Sequence, residues 1–226
     1  MEVSIKNVSK KFKGKQVLKD ISFTIESGSV CGLLGINGAG KSTLMKLLYG
    51  LEQKDQGQIT YDGRVKTDRK NIGALIENPA IYGNLSAFDN LMTKALLFNI
   101  SKDRIQQVLS IVGLSSTGKK RAAKFSIGMK QRLGIGMAIL THPNFLILDE
   151  PTNGLDPDGR EELMNLIMRL KDDGVTILIS SHLLNEIHQV TDKIVILNDG
   201  VIALENKNDD SVDIEKMFFS IVHGGK

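Results

Sequence analysis

The strongest capacity for chemistry in the chain lies in eight residues, Gly35-Ile36-Asn37-Gly38-Ala39-Gly40-Lys41-Ser42. They match the spacing G-x-x-x-x-G-K-[ST] in full. Glycines at these positions let successive backbone N–H groups turn inward around an anion, and a helix starting beyond Gly40 adds the positive end of its dipole. Lys41 can then reach the terminal phosphates of a nucleotide, and the Ser42 hydroxyl, followed by Thr43, can ligate Mg²⁺. The bland alternative is a glycine-rich structural turn. Context weighs against it, because Val30 to Leu34 reads as a buried strand before the loop, and Lys41 to Tyr49 as a helix after it, closed by Gly50.

A second constellation is Phe145-Leu146-Ile147-Leu148-Asp149-Glu150, four apolar residues followed by two carboxylates. Burying such a strand delivers Asp149 to its C-terminal edge, where open α/β sheets bind ligands. Asp149 would hold Mg²⁺ and Glu150 would polarise a water attacking the γ-phosphate. Solvated acids capping a strand are the alternative, and its weight falls beside a phosphate loop. The loop alone leaves kinases, GTPases and motors open. No arginine-rich lid is evident, and Asn7 and Asn71 lead no N-K-x-D guanine reader.

The elements that must position these groups follow from hydrophobic period. Val3, Ile5, Val17, Ile21, Phe23 and Ile25 alternate as in half-buried strands, and strands are expected again at Gln58 to Tyr61 and Asn71 to Ile76. From about Pro79 to Thr141 the period turns helical, through Leu91, Ala95 and Leu96, then Ile105, Val108, Leu109 and Val112. Strand and helix then alternate: Phe145 to Leu148, Asp158 to Lys171, Val175 to Ser180, Leu183 to Val190, Ile194 to Leu197. That pattern predicts an α/β fold with a mainly parallel core sheet, an antiparallel N-terminal β region and an inserted helical subdomain at about 79–141. Residues 1–226 form one domain, with a short C-terminal helix at about 211–222 whose Ile214, Met217, Phe218 and Ile221 make one apolar face.

Composition narrows the class. Hydrophobic residues make up 41% and charged residues 24% of 226 positions, ordinary for a globular domain with a core. A net charge of +3, from 29 basic and 26 acidic residues, is too mild to point to nucleic acid. The basic runs Lys10-Lys11-Phe12-Lys13 and Lys119-Lys120-Arg121 read as solvated surface. Cys31 is the only cysteine, which excludes an intrachain disulfide and suits a reducing compartment. Met1 to Lys6 lacks the apolar run of a secretion signal, and the longest apolar stretches are strand-sized. Any membrane task therefore calls for another chain.

Further motifs bring a family into view. Phe125-Ser126-Ile127-Gly128-Met129-Lys130-Gln131-Arg132 resembles the ABC signature, a variant of L-S-G-G-Q followed by Q-R, and Ser126 lies 23 positions before Asp149. Pro151-Thr152-Asn153-Gly154-Leu155-Asp156-Pro157 resembles the family's D-loop, and His182 stands where its switch histidine is expected. On its own terms Ser126 is a good N-cap for a helix from about Ile127 to Leu140. Its hydroxyl, the Gly128 N–H and the helix dipole can together hold a phosphate.

The resemblance, which covers essentially the whole chain, implies a P-loop ATPase of the ABC cassette type. Two cassettes would sandwich two ATPs head to tail, with Ser126 and Gly128 gripping the partner's nucleotide and Asp156 helping to join the subunits. Glu150 and His182 would be catalytic. Gly35 to Thr43 would bind ATP, and Ser42, Asp149 and Glu77 would ligate Mg²⁺. Phe12 would stack on adenine, although a core position suits a phenylalanine equally well.

Glu77 departs from the family pattern, which carries glutamine there. A carboxylate about 4 Å from a phosphate charge, at an effective dielectric of about 20, is repelled by roughly 4 kcal/mol unless a cation intervenes. We therefore expect Glu77 to be a metal ligand and ATP affinity to depend strongly on Mg²⁺, the alternative being a solvated strand-end acid. With the Phe-Ser-x-Gly-Met-Lys-Gln-Arg signature, this glutamate resembles the cassettes of bacitracin-type and lantibiotic self-protection exporters. The resemblance implies an ATP-hydrolysing motor for peptide export on the cytoplasmic face of the membrane, bound to integral membrane permease subunits. The other readings are export of a different substrate, or a non-transport ABC ATPase acting on nucleic acid or ribosomes. The long coiled coils, zinc modules or tandem cassettes of that last group are missing, and no nucleic-acid partner is expected.

Overall fold

The computed structural model describes residues 1–181, 184–208 and 214–223, apart from the side chains of 184–186, 214 and 223. Among the described residues the strands form two sheets. The larger carries β3 (Val30–Leu34), β5 (Ile72–Leu75), β6 (Phe145–Asp149), β7 (Thr176–Ser180), β8 (Lys193–Asn198) and β9 (Val201–Lys207). Its order is β5-β6-β7-β3-β8-β9, parallel except for β9. The smaller is antiparallel, with β1 (Val3–Phe12) between β2 (Lys15–Ile25) and β4 (Gln56–Tyr61).

The continuous apolar runs of β3, β6 and β7 are explained by burial on both faces. Alternate residues serve two cores. Cys31, Leu33, Phe145, Ile147 and Leu178 face a layer made by the small sheet and helix α1 (Lys41–Tyr49). Val30, Leu34, Leu146, Leu148, Ile177 and Ile179 face the remaining helices. Cys31 is a small core residue, and burial pushes its thiol up to about 12.

Those helices are α2 (Ala87–Phe98), α3 (Lys102–Ile111), α4 (Ile127–Ile139), α5 (Pro157–Asp172), α6 (Leu184–Val190) and α7 (Ile214–His223). The helices α2, α3 and α4 pack on one another, and α4 also packs on β5. Serines 86, 101 and 126 cap α2, α3 and α4, each accepting a backbone N–H from three residues on. The C-terminus of α4 has no glycine stop; Lys94 donates to the Met137 carbonyl and Arg104 to those of Ile139 and Leu140. In α7, Phe218 and Ile221 pack on the core while Phe219 is exposed.

Several element ends differ from expectation by a residue or two. Residues 69–71 form a 3₁₀ turn, so β5 starts at Ile72. Strand β9 was not anticipated. It returns from β8 through Asp199-Gly200, both at positive φ (46° and 78°), the backbone of a tight hairpin turn.

Candidate functional site

The loop from Gly35 joins β3 to α1 and is held shut by packing. Gly40 sits at φ 111°, and a Cβ there would lie 2.8 Å from a Leu18 methyl and 3.2 Å from the Val17 carbonyl oxygen. Only glycine fits both constraints. Gly40 also offers no side chain to cap α1, so the first-turn N–H groups of Lys41, Ser42 and Thr43 remain for a ligand in the loop. The Lys41 ammonium is buried, donates to the Gly35 carbonyl at 2.7 Å, and lies 3.5 Å from Oε1 of Glu150.

Glu150 follows the last residue of β6 in a left-handed conformation, φ 46°, which turns its carboxylate back toward the loop. Asn153 donates to Oε2 of Glu150 at 2.7 Å. Across the sheet, where Asp149 pairs with Ser180, the Ser180 hydroxyl donates to Asp149 Oδ1 at 2.6 Å and accepts the Glu150 backbone N–H at 2.8 Å. One serine thus ties the Asp149 carboxylate to the backbone of Glu150. Neither Asn153 nor Ser180 was singled out from the sequence as holding Glu150. Asn153 had a local signal, three positions along the same turn, whereas Ser180 needed the strand register.

Ser42, Glu77, Asp149, Glu150 and Asn153 line one cavity of about 460 Å³, closed on its other wall by Ile127, Lys130 and Gln131 of α4. Mg²⁺ is bound through one or two carboxylates, waters and phosphate oxygens. The Ser42 hydroxyl and Asp149 carboxylate fit that donor set. Among the described residues no three His, Cys, Asp or Glu side chains converge as a metal cage. Such a cation would neutralise charge developing on the phosphates.

Glu77 also borders this cavity, but its charge is already met. Lys46, from the last turn of α1, donates to Glu77 Oε1 at 2.6 Å. The Glu77 side chain is 58% exposed, so solvent screens it further. An ammonium of the chain itself thus stands as a counter-charge to the Glu77 carboxylate.

Ser126, Gly128 and Asp156 are brought together elsewhere. They line a second cavity of about 560 Å³ with Arg132, Leu155 and Glu162, and none of the phosphate-loop residues takes part. The Ser126 oxygen accepts the Met129 N–H at 3.2 Å, which leaves its own proton to donate outward. Asp156 caps α5 by accepting from the Gly159 N–H. Arg132 of α4 pairs with Glu162 of α5, tying the two elements of this surface together. Phe12 is 39% exposed at the end of the β1–β2 hairpin, with the Lys10 ammonium 4.9 Å from its ring centre, which excludes a core position. The same β2 strand runs from this hairpin end past Gly40. His182 lies outside the described residues.

A family model described as "ABC transporter" matches residues 18–153. The chain is 43% identical over 218 residues to the lantibiotic transport ATP-binding protein SrtF of Streptococcus pyogenes, covering 96% of this chain and 95% of that protein. It is 42% identical over 206 residues to the bacitracin transport ATP-binding protein BcrA of Bacillus licheniformis, covering 88% and 67%. Among solved structures, the ATP-binding subunit of an ABC transporter superposes with a TM-score of 0.88 at 28% identity, covering 98% and 99%. A dimeric ATP-binding cassette in a post-hydrolysis state bound to ADP and Pi gives 0.83 at 26% identity, covering 92% and 99%.

Proposed function

The chain belongs to the ABC transporter family as an ATP-hydrolysing subunit, and from that premise we propose that it drives export of an antimicrobial peptide of the lantibiotic or bacitracin kind. The observation that carries the cargo is the 43% identity, over nearly the full length of both chains, to a lantibiotic transport ATP-binding protein. Among the described residues no helix is long and apolar enough to cross a membrane, so integral permease subunits would supply the path. This subunit would work against them on the cytoplasmic face.

In this reading Gly35 to Thr43 hold ATP, Phe12 stacks on its adenine, and Ser42 and Asp149 hold Mg²⁺ with Glu77 beside them. Glu150 orients the attacking water, and His182 assists. Residues 79–141 act as the helical subdomain of a single ATPase domain. The separation of the Ser126 and Gly128 cavity from the phosphate loop supports completion of each site by a second copy, head to tail.

Isolating the chain with its membrane partners, then assaying peptide resistance in cells carrying Glu150→Gln, tests the proposal. Resistance should disappear with the mutation. Resistance equal to that of the parent contradicts ATP-driven peptide export, and ATPase activity stimulated by nucleic acid instead would favour a non-transport role.

A further inference from the structure

The wall of the phosphate-site cavity formed by α4 carries a side chain with no assigned task. Gln131 is 7% exposed and lines the cavity with Ser42, Glu77, Asp149 and Glu150. Its side-chain oxygen is buried without a hydrogen-bond partner. A buried acceptor left unmade is costly to the fold and calls for an explanation.

Its position is fixed by its helix. Gln131, Gly134 and Ala138 fall on one face of α4, at the spacing i, i+3, i+7. A Cβ at Gly134 would lie 2.9 Å from both Leu75 and Pro79, and a Cβ at Gly73 would lie 2.4 Å from the Ala138 carbonyl oxygen. The seam between α4 and the segment from β5 to Pro79 is therefore in backbone-level contact. Gln131 continues that seam one turn toward the cavity, beside the residues that flank Glu77. Among the described residues no hydrogen bond holds either end of the amide, so it is free to turn its oxygen inward.

We propose that Gln131 is a positioning residue for the divalent cation of the chain's own nucleotide, its amide oxygen accepting a hydrogen bond from a cation-bound water. This rests on the reading of Ser42 and Asp149 as the cation's ligands. Of the three α4 side chains on that wall, Ile127 has no polar atom and the Lys130 ammonium would repel a cation. The consequence is mechanical. The first two turns of α4 border the chain's own site through Gln131 and present Ser126 and Gly128 to the second cavity. A bond from Gln131 to the cation's shell would set the angle at which that surface is offered to another copy.

The test is ATP binding by the full chain in a Glu150→Gln background, titrated with Mg²⁺ and again with EDTA. Gln131→Met keeps the shape and removes the acceptor. It should weaken binding about tenfold in Mg²⁺, leave binding in EDTA unchanged, and leave the melting temperature of the nucleotide-free chain unchanged or higher. Gln131→Glu, which keeps an acceptor at the same reach, should retain the response to Mg²⁺. Equal losses in Mg²⁺ and EDTA would mean a phosphate contact and would overturn the proposal. So would a lowered melting temperature in Gln131→Met, loss of the response in Gln131→Glu, or unchanged affinity. If the parent itself binds equally with Mg²⁺ and EDTA, the Ser42–Asp149 reading fails first, and the proposal with it.

Discussion

Asn153 donates its side-chain amide to Oε2 of Glu150 across 2.7 Å, while Lys41 stands 3.5 Å from the other oxygen of that carboxylate. The group expected to orient water is therefore braced from the turn that follows β6 and faced by the lysine of the phosphate loop. Asn153→Ala removes one hydrogen bond to the Glu150 carboxylate. We expect hydrolysis to fall about tenfold, the rate equivalent of one lost hydrogen bond to a charged group, with ATP affinity nearly unchanged. Steady-state rates beside equilibrium nucleotide binding check this; equal loss in both would mean that Asn153 holds the loop rather than the base.

Ser180 bridges Asp149 and Glu150, so Ser180→Ala should act on both stability and rate. The variant leaves a buried carboxylate and a backbone N–H each short of a partner, a cost of about 1–3 kcal/mol for each group left unpaired. Urea unfolding of the nucleotide-free chain measures the loss, and an unchanged midpoint would show that neither bond matters to the fold.

The Lys46–Glu77 pair bears on the expected response to Mg²⁺. Because Lys46 already meets the Glu77 charge at 2.6 Å, Glu77→Gln should change the Mg²⁺ dependence of ATP binding less than Lys46→Met does. Lys46→Met, which strips the ammonium and leaves the carboxylate, should need several-fold more Mg²⁺ for the same binding. Identical curves for all three proteins would remove Glu77 from the metal site.

Alkaline pH isolates Lys94. Burial between α2 and α4 pulls its ammonium down from its ordinary 10.5 to about 8. Between those values the unfolded chain binds the extra proton, so this residue makes stability rise with pH there. Cys31 and Tyr61, both held up to about 12, act with opposite sign, losing stability as pH climbs past their ordinary 9.0 and 10.0. The readout is thus the difference in unfolding free energy between the parent and Lys94→Met. It should shift in the parent's favour, by on the order of 2 kcal/mol, from pH 8 to 10.5. A difference that stays flat would show that Lys94 is not desolvated.

Reading from sequence succeeded where the information is local. The ends of α1 at Lys41 and Gly50, and the Ser126 cap of α4, were expected to the residue because cap, loop and apolar run are contiguous. Strand β9 was overlooked although Asp199-Gly200, followed by inward Ile202 and Leu204, carries a hairpin signal. What lay out of reach was pairing across the sheet and between subdomains. The Ser180 bridge depends on the β6–β7 register, the Lys46–Glu77 pair on where α1 ends beside β5, and the place of Gln131 on glycine-level packing of α4. Phe12 shows the limit from the other side, since residue type alone left stacking and core positions equal until its exposure excluded the core.

The central claim is that each hydrolytic site is completed by a second copy, because Ser126 and Gly128 line a cavity apart from the phosphate loop. The most direct measurement is the rate of ATP hydrolysis per chain as the concentration of purified chain is raised. The account predicts a rate per chain that climbs with concentration toward a plateau, and that collapses when Ser126 is replaced by a bulky residue. A rate per chain independent of concentration, in a protein shown to be monomeric with ATP bound, would contradict it.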